Sequence, residues 1–149
     1  GQSGQMNMYL WDQMDPERSG GLENDIVTHE MTHGITNRMT GGGTGRCLQI
    51  IESGGLGEGW THVFHFKWME QTGPQIHDFT LGSYVNGGVP IRSKPYSTNS
   101  TSNPYTYSTL LTAPEVHGAS TYVWANMLHN VHVALVDAHG FSKTARTDP

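Results

Sequence analysis

The chain has 149 residues and a formal net charge of −5, and its eight Lys and Arg are scattered, which argues against a surface built to neutralise nucleic-acid phosphates. It contains no run of about 18 apolar residues that could span a membrane, and it is long enough to bury the core of one domain. Its charged fraction of 14%, its 19 glycines and a Ser/Thr/Asn-rich stretch over 97–109 describe a neutral, loop-rich surface, while the single cysteine, Cys47, closes no disulfide within the chain and reads as a buried thiol or the partner of a cysteine outside it.

The opening GQSGQMNMYL lacks a basic region and an initiator Met, as expected of a mature fragment or interior piece. Residues 6–12 read as a short apolar strand, and PERSGGLEND as the turn after it. Asn24 or Asp25 can cap a helix that begins near Ile26, runs to about Met39 and stops at Gly41, Gly42 and Gly43. Its apolar positions Ile26, Met31, Ile35 and Met39 suit a largely buried helix. A second helix is expected from Gly57 to about Gln71, with Trp60, Phe64 and Trp68 at every fourth residue. Residues 72–113 read as long loops with one short element, Asp78–Tyr84, and the sequon Asn99-Ser100-Thr101 falls within them. A third helix is expected over about 114–138, with Val116, Ala119, Val123, Met127, Val131 and Leu135 as its apolar stripe and Gly140 as its stop. The fold class is mainly α with a short N-terminal strand remnant.

The chemistry concentrates in THEMTHGITNRMTGG, which contains His29-Glu30-x-x-His33. Residues four apart share one face of a helix, so His29 and His33 can present two imidazoles to one ion. Glu30 projects about 100° around the axis, beside the ion rather than on it, where a base must sit to take a proton from a metal-activated water. A catalytic zinc requires a third protein ligand and one open position. The glycine-rich ESGGLGEGW, residues 52–60, offers Glu58, with Glu52 as second choice. The remaining histidine pairs, His62 with His65 and His129 with His132, read as surface or core histidines, and Trp60, Phe64, Trp68, Tyr122 and Trp124 as core aromatics.

HEMTHGITNRMTGG followed by ESGGLGEGW resembles the fungalysin family of secreted fungal zinc metalloproteases, relatives of thermolysin, and the likeness continues through SYVNGGVPIRSKPYSTN, NPYTYS, EVH and VWANMLHNVHVALVDAHG. The resemblance implies one zinc per chain bound by His29, His33 and Glu58, with Glu30 as general base. It also implies that His117, in EVH, sits over the substrate carbonyl and stabilises the oxyanion; a histidine that merely begins a helix is the plainer alternative. Few residues precede His29, so the chain resembles the active-site helix plus the C-terminal helical half of a thermolysin-like protease, without most of the β-rich half.

Two blocks depart from the family pattern. The family usually reads Gly-Glu-Gly-Trp-Ser-Asp; here the residues are Gly57-Glu58-Gly59-Trp60-Thr61-His62. In the family the Asp holds a zinc histidine by its second nitrogen, a contact whose loss typically costs about 10–100-fold in metal affinity or activity. His62 lacks that charge but has an acceptor nitrogen to offer. The spacing from His117 to Trp124 is one residue longer than usual, and THVFHFKWMEQ is also about a residue longer. The resulting expectation is a secreted zinc endopeptidase acting on extended polypeptides, with a propeptide outside this chain; the alternative is an impaired zinc-binding homologue or fragment serving as a binding module.

Overall fold

The computed structural model describes residues 4–69, 73–112, 118, 121–142 and 144. It is mainly helical. A two-stranded antiparallel ribbon, β1 (Leu10–Trp11) paired with β2 (Arg18–Ser19), precedes three helices: α1 (Asn24–Met39), α2 (Ile51–Met69) and α3 (Thr121–His139). α2 lies between the other two and packs against both. No helix among the described residues is long and apolar enough to cross a membrane.

α1 occupies nearly the expected span, but neither Asn24 nor Asp25 caps it. Glu23 holds the cap position in extended backbone without a side-chain capping bond, and Asp25 lies inside the first turn. Both carboxylates are instead directed at the long segment between α2 and α3. Glu23 accepts from the backbone N–H groups of Tyr84 (2.9 Å) and Val85 (2.8 Å), and Asp25 from that of Gly82 (2.7 Å). At its other end α1 stops where expected: Gly41, Gly42 and Gly43 have φ of 63°, 73° and 75°, a run that side chains with a Cβ resist.

α2 begins six residues earlier than the sequence suggests, so Glu52–Trp60 is helix rather than a turn. Glycine is a poor helix former, and four of them in this stretch mimic a loop signal. Packing explains at least one: a Cβ on Gly59 would fall 2.7 Å from Trp124 Cδ1 and 3.1 Å from the backbone nitrogen of Ala125. Gly59 is therefore the point at which α2 and α3 come close, and tertiary packing overrides local propensity.

Residues 73–112 contain little regular structure but supply much of the core. Leu81, Val85 and Tyr96 are buried with Tyr122 and Ala125 of α3. An isolated antiparallel bridge joins Phe79 to Tyr96. Side chains of α3 satisfy backbone groups of this segment: Asn126 Oδ1 accepts from Ser97 N–H at 2.8 Å, and the Tyr122 hydroxyl accepts from Ser93 N–H at 2.6 Å. A long irregular segment can be held this firmly because its polar backbone finds partners at the start of α1 and on α3.

The apolar stripes face the wrong way for the sequence-based picture. Met31, Ile35 and Met39 are exposed, and α1 buries Asp25, His29 and Thr32. Met127, Val131 and Leu135 are likewise exposed, and α3 buries Thr121, Tyr122, Ala125 and His129. On these inward faces Asp25, His29 and Tyr122 hydrogen-bond across the interior. Trp60 is also partly exposed rather than core, stacked edge-on against Trp124 with ring centroids 5.7 Å apart. Cys47 is exposed, not buried. Val116, Ala119, the first residues of the expected third helix and the side chains of Phe64, His65 and Trp68 lie outside the described residues.

Candidate metal centre

Two helices assemble the candidate centre. α1 contributes His29 and His33 from successive turns of one face, and α2, packed alongside, contributes Glu58. His29 Nε2 and His33 Nε2 are 3.1 Å apart, with the rings nearly perpendicular. The Glu58 carboxylate spans the pair, Oε2 at 3.2 Å from His29 Nε2 and Oε1 at 3.2 Å from His33 Nε2. Zinc bonds of about 2.0–2.1 Å in a tetrahedron imply donor–donor edges of about 3.3 Å. The two imidazole nitrogens are about one such edge apart and each faces a different oxygen of the Glu58 carboxylate; one donor atom from each of the three residues lies within 4.8 Å of the others, and a set of two imidazoles and one carboxylate suits zinc. His29 and Glu58 are buried and His33 is half-buried, which leaves the His33 imidazole nearest to solvent.

Glu52 is exposed at the start of α2 and is not part of this cluster, so the choice between the two carboxylates falls to Glu58. Glu30 is exposed beside the cluster, in a groove of about 490 Å³ shared with Met31, Gly34 and Arg38, and its charge acts on His33. His117 lies outside the described residues.

The electrostatics reflect three ionisable groups crowded together. Burial alone would push the Glu58 carboxyl up, but hydrogen bonds and charge from His29 and His33 hold it well below its ordinary 4.5. Burial alone would push His33 down; its hydrogen bond to Glu58, and the charges of Glu58 and Glu30, outweigh that and raise it above 6.5. In the metal-free protein these shifts have opposite pH signatures. The Glu58 contribution is full above about 4.5 and fades as pH falls through its depressed value; the His33 contribution is full below about 6.5 and fades as pH rises through its raised value. Both operate between those limits. The melting-temperature difference between the parent and Glu58→Gln, measured with chelator, should therefore be largest in that window and shrink towards pH 8. A difference that grows over the same rise contradicts the assignment.

The residues after Glu58 behave differently from the sequence-based expectation. His62 is fully buried, but its Nδ1 is hydrogen-bonded to the Tyr96 hydroxyl. Its Nε2 has no hydrogen-bond partner among the described residues. Burial depresses the imidazole and raises the Tyr96 phenol, so the pair is neutral and Tyr96 keeps its proton. His62 therefore does not hold a zinc histidine in place of the family's Asp, although its ring lies 5.0 Å from that of His29. The group that does meet His29 Nδ1 is the Thr61 hydroxyl, at 2.7 Å, a contact the sequence reading did not anticipate. The available signal was its position, three residues beyond Glu58 on the same helical face. His129, as expected for a core histidine, is buried, with its ring 5.6 Å from that of Phe79.

The family model for fungalysin metallopeptidases matches residues 1–149. The chain is similar to the probable extracellular metalloproteinase 2 of Arthroderma benhamiae and the extracellular metalloproteinase 2 of Trichophyton rubrum, each 45% identical over 148 residues. It is 43% identical over 143 residues to the extracellular metalloproteinase mep of Aspergillus fumigatus. These alignments cover 94–96% of this chain but only 22–23% of each relative, so the chain spans under a quarter of the length of the relatives it matches.

Proposed function

Because the chain belongs to the fungalysin metallopeptidase family, we propose that it carries the centre of a zinc-dependent endopeptidase that works outside the cell on extended polypeptides, with one zinc per chain. The single observation that carries this reading is the convergence of His29 Nε2, His33 Nε2 and the Glu58 carboxylate, one donor atom from each lying within 4.8 Å of the others. The extracellular setting is supported by the names of the relatives.

Zinc bound there would lower the pKa of a water to about 7 and polarise a scissile carbonyl. The rest falls to the chain's own side chains. His29, His33 and Glu58 would hold the ion. Glu30, one residue after His29 and exposed, takes the proton from the attacking water and passes it to the departing amine. Water is the nucleophile, so no side chain is acylated. His117 is proposed as a donor to the oxyanion. A propeptide outside this chain would keep the site silent until it is removed.

A second reading, a zinc-binding homologue of low activity, draws on one observation: His62 stands where the family usually has Asp, and it is paired with Tyr96 instead of a ligand. Metal content and casein hydrolysis measured on the same purified protein separate the readings. One zinc per chain, with hydrolysis stopped by a chelator and restored by zinc, supports the endopeptidase; zinc without hydrolysis supports the second reading; absence of zinc overturns both.

A further inference from the structure

A zinc-bound imidazole uses one nitrogen for the metal and carries its proton on the other, and that N–H needs an acceptor to keep the ring in one tautomer and one orientation. In this chain the residue expected to supply the acceptor is replaced by His62, whose ring is turned to Tyr96. The Thr61 hydroxyl is fully buried and makes two contacts, to His29 Nδ1 at 2.7 Å and to the backbone carbonyl oxygen of Glu58 at 2.5 Å.

A hydroxyl has one proton. The Glu58 carbonyl can only accept, so the Thr61 O–H donates to it, and the Thr61 oxygen is left to accept from His29 Nδ1–H. In the neutral ring, the form that binds metal, that direction leaves the lone pair of His29 on Nε2, the nitrogen that faces His33 and Glu58. We infer that Thr61 is the positioning residue for His29, a neutral hydroxyl that takes over the task of the missing carboxylate by fixing the tautomer and orientation in which the imidazole binds metal.

This assignment rests on the zinc reading above and deepens it. It does not require the ring to gain or lose charge, because the acceptor is the same whenever Nε2 is engaged by metal. It also explains how the centre keeps its geometry after losing the acid. The helix that carries the metal-binding carboxylate orders the substitute through its own backbone, since the Thr61 hydroxyl proton is committed to the carbonyl of Glu58.

The test compares zinc affinities, by competition with a chromophoric chelator, for the parent, Thr61→Val and Thr61→Ser. Val keeps the shape and removes the acceptor; Ser keeps the acceptor. Thr61→Val should bind zinc about 10–100-fold more weakly, the usual cost of losing an outer partner of a metal ligand, and Thr61→Ser should stay near the parent. Should Thr61→Val fail to fold by circular dichroism, Thr61→Ala removes the same hydroxyl without the branched side chain. A measurement on the parent alone adds a readout that needs no variant: in the zinc-loaded protein the His29 Nδ1–H resonance should be protected from exchange and show a nuclear Overhauser contact to the Thr61 methyl. Equal zinc affinity in the parent and a folded Val or Ala variant, or loss of that contact, overturns the role of Thr61 and leaves the zinc reading standing. A parent that binds no zinc overturns both.

Discussion

Glu58→Gln is expected to lose zinc almost completely, with affinity lower by more than about 100-fold. The floor for that figure comes from outer partners, whose removal already costs about 10–100-fold; Glu58 supplies a direct bond and the centre's only negative charge among its three donors. Gln is nearly isosteric, so the packing of α2 against α1 should survive, and the loss is chemical rather than steric. The same substitution has a consequence without metal. Glu58 opposes the burial that pushes the His33 imidazole down. Without that charge His33 should titrate lower, which histidine resonances in chelated samples would register. Retention of tight zinc binding by a folded Glu58→Gln protein would remove Glu58 from the centre.

Glu30→Gln is expected to do the opposite: zinc stays at one per chain while hydrolysis falls by about 10²–10⁴, the range usual for loss of a positioned general base. Glu30 is exposed and is not one of the three clustered donors, so its amide analogue should leave them in place. The effect belongs in the rate at saturating substrate rather than in substrate affinity, because the proton is transferred in the transition state. Zinc-loaded Glu30→Gln that cleaves casein as fast as the parent would assign the base elsewhere. Together the two substitutions separate holding the ion from using it.

How much of this was visible in the sequence depended on how local each determinant is. The end of α1 was legible because three consecutive glycines have few other uses, and the histidine pair because i and i+4 meet on any helix. The start of α2 was not, because Gly54, Gly55, Gly57 and Gly59 read as a turn until Trp124 is seen against Gly59. The orientations of α1 and α3 were misjudged for a related reason. Apolar periodicity points to an inward face, whereas Met31, Ile35, Met127 and Val131 are exposed and the interior is laced with His29, Thr32, Thr121 and His129. Motif spacing brings His29 and His33 together on one face, and the packing of α2 on α1 brings Glu58 rather than Glu52 to them. The parts played by Thr61 and His62 could not be read, since they turn on a rotamer and on Tyr96, 34 residues away from His62.

The two contacts that α2 makes with His29, from Glu58 on one ring nitrogen and Thr61 on the other, have a mechanical corollary. The imidazole sits in a caliper whose jaws are a single rigid rod. When α2 drifts along or across α1, carboxylate and hydroxyl travel in step, so the ring is carried with them and its swing about the Cβ–Cγ bond is blocked from both edges. The 73–112 segment braces both sides of this grip, leaning on the rod where Tyr96 meets His62 and on the first turn of α1 where Glu23 and Asp25 take its backbone N–H groups.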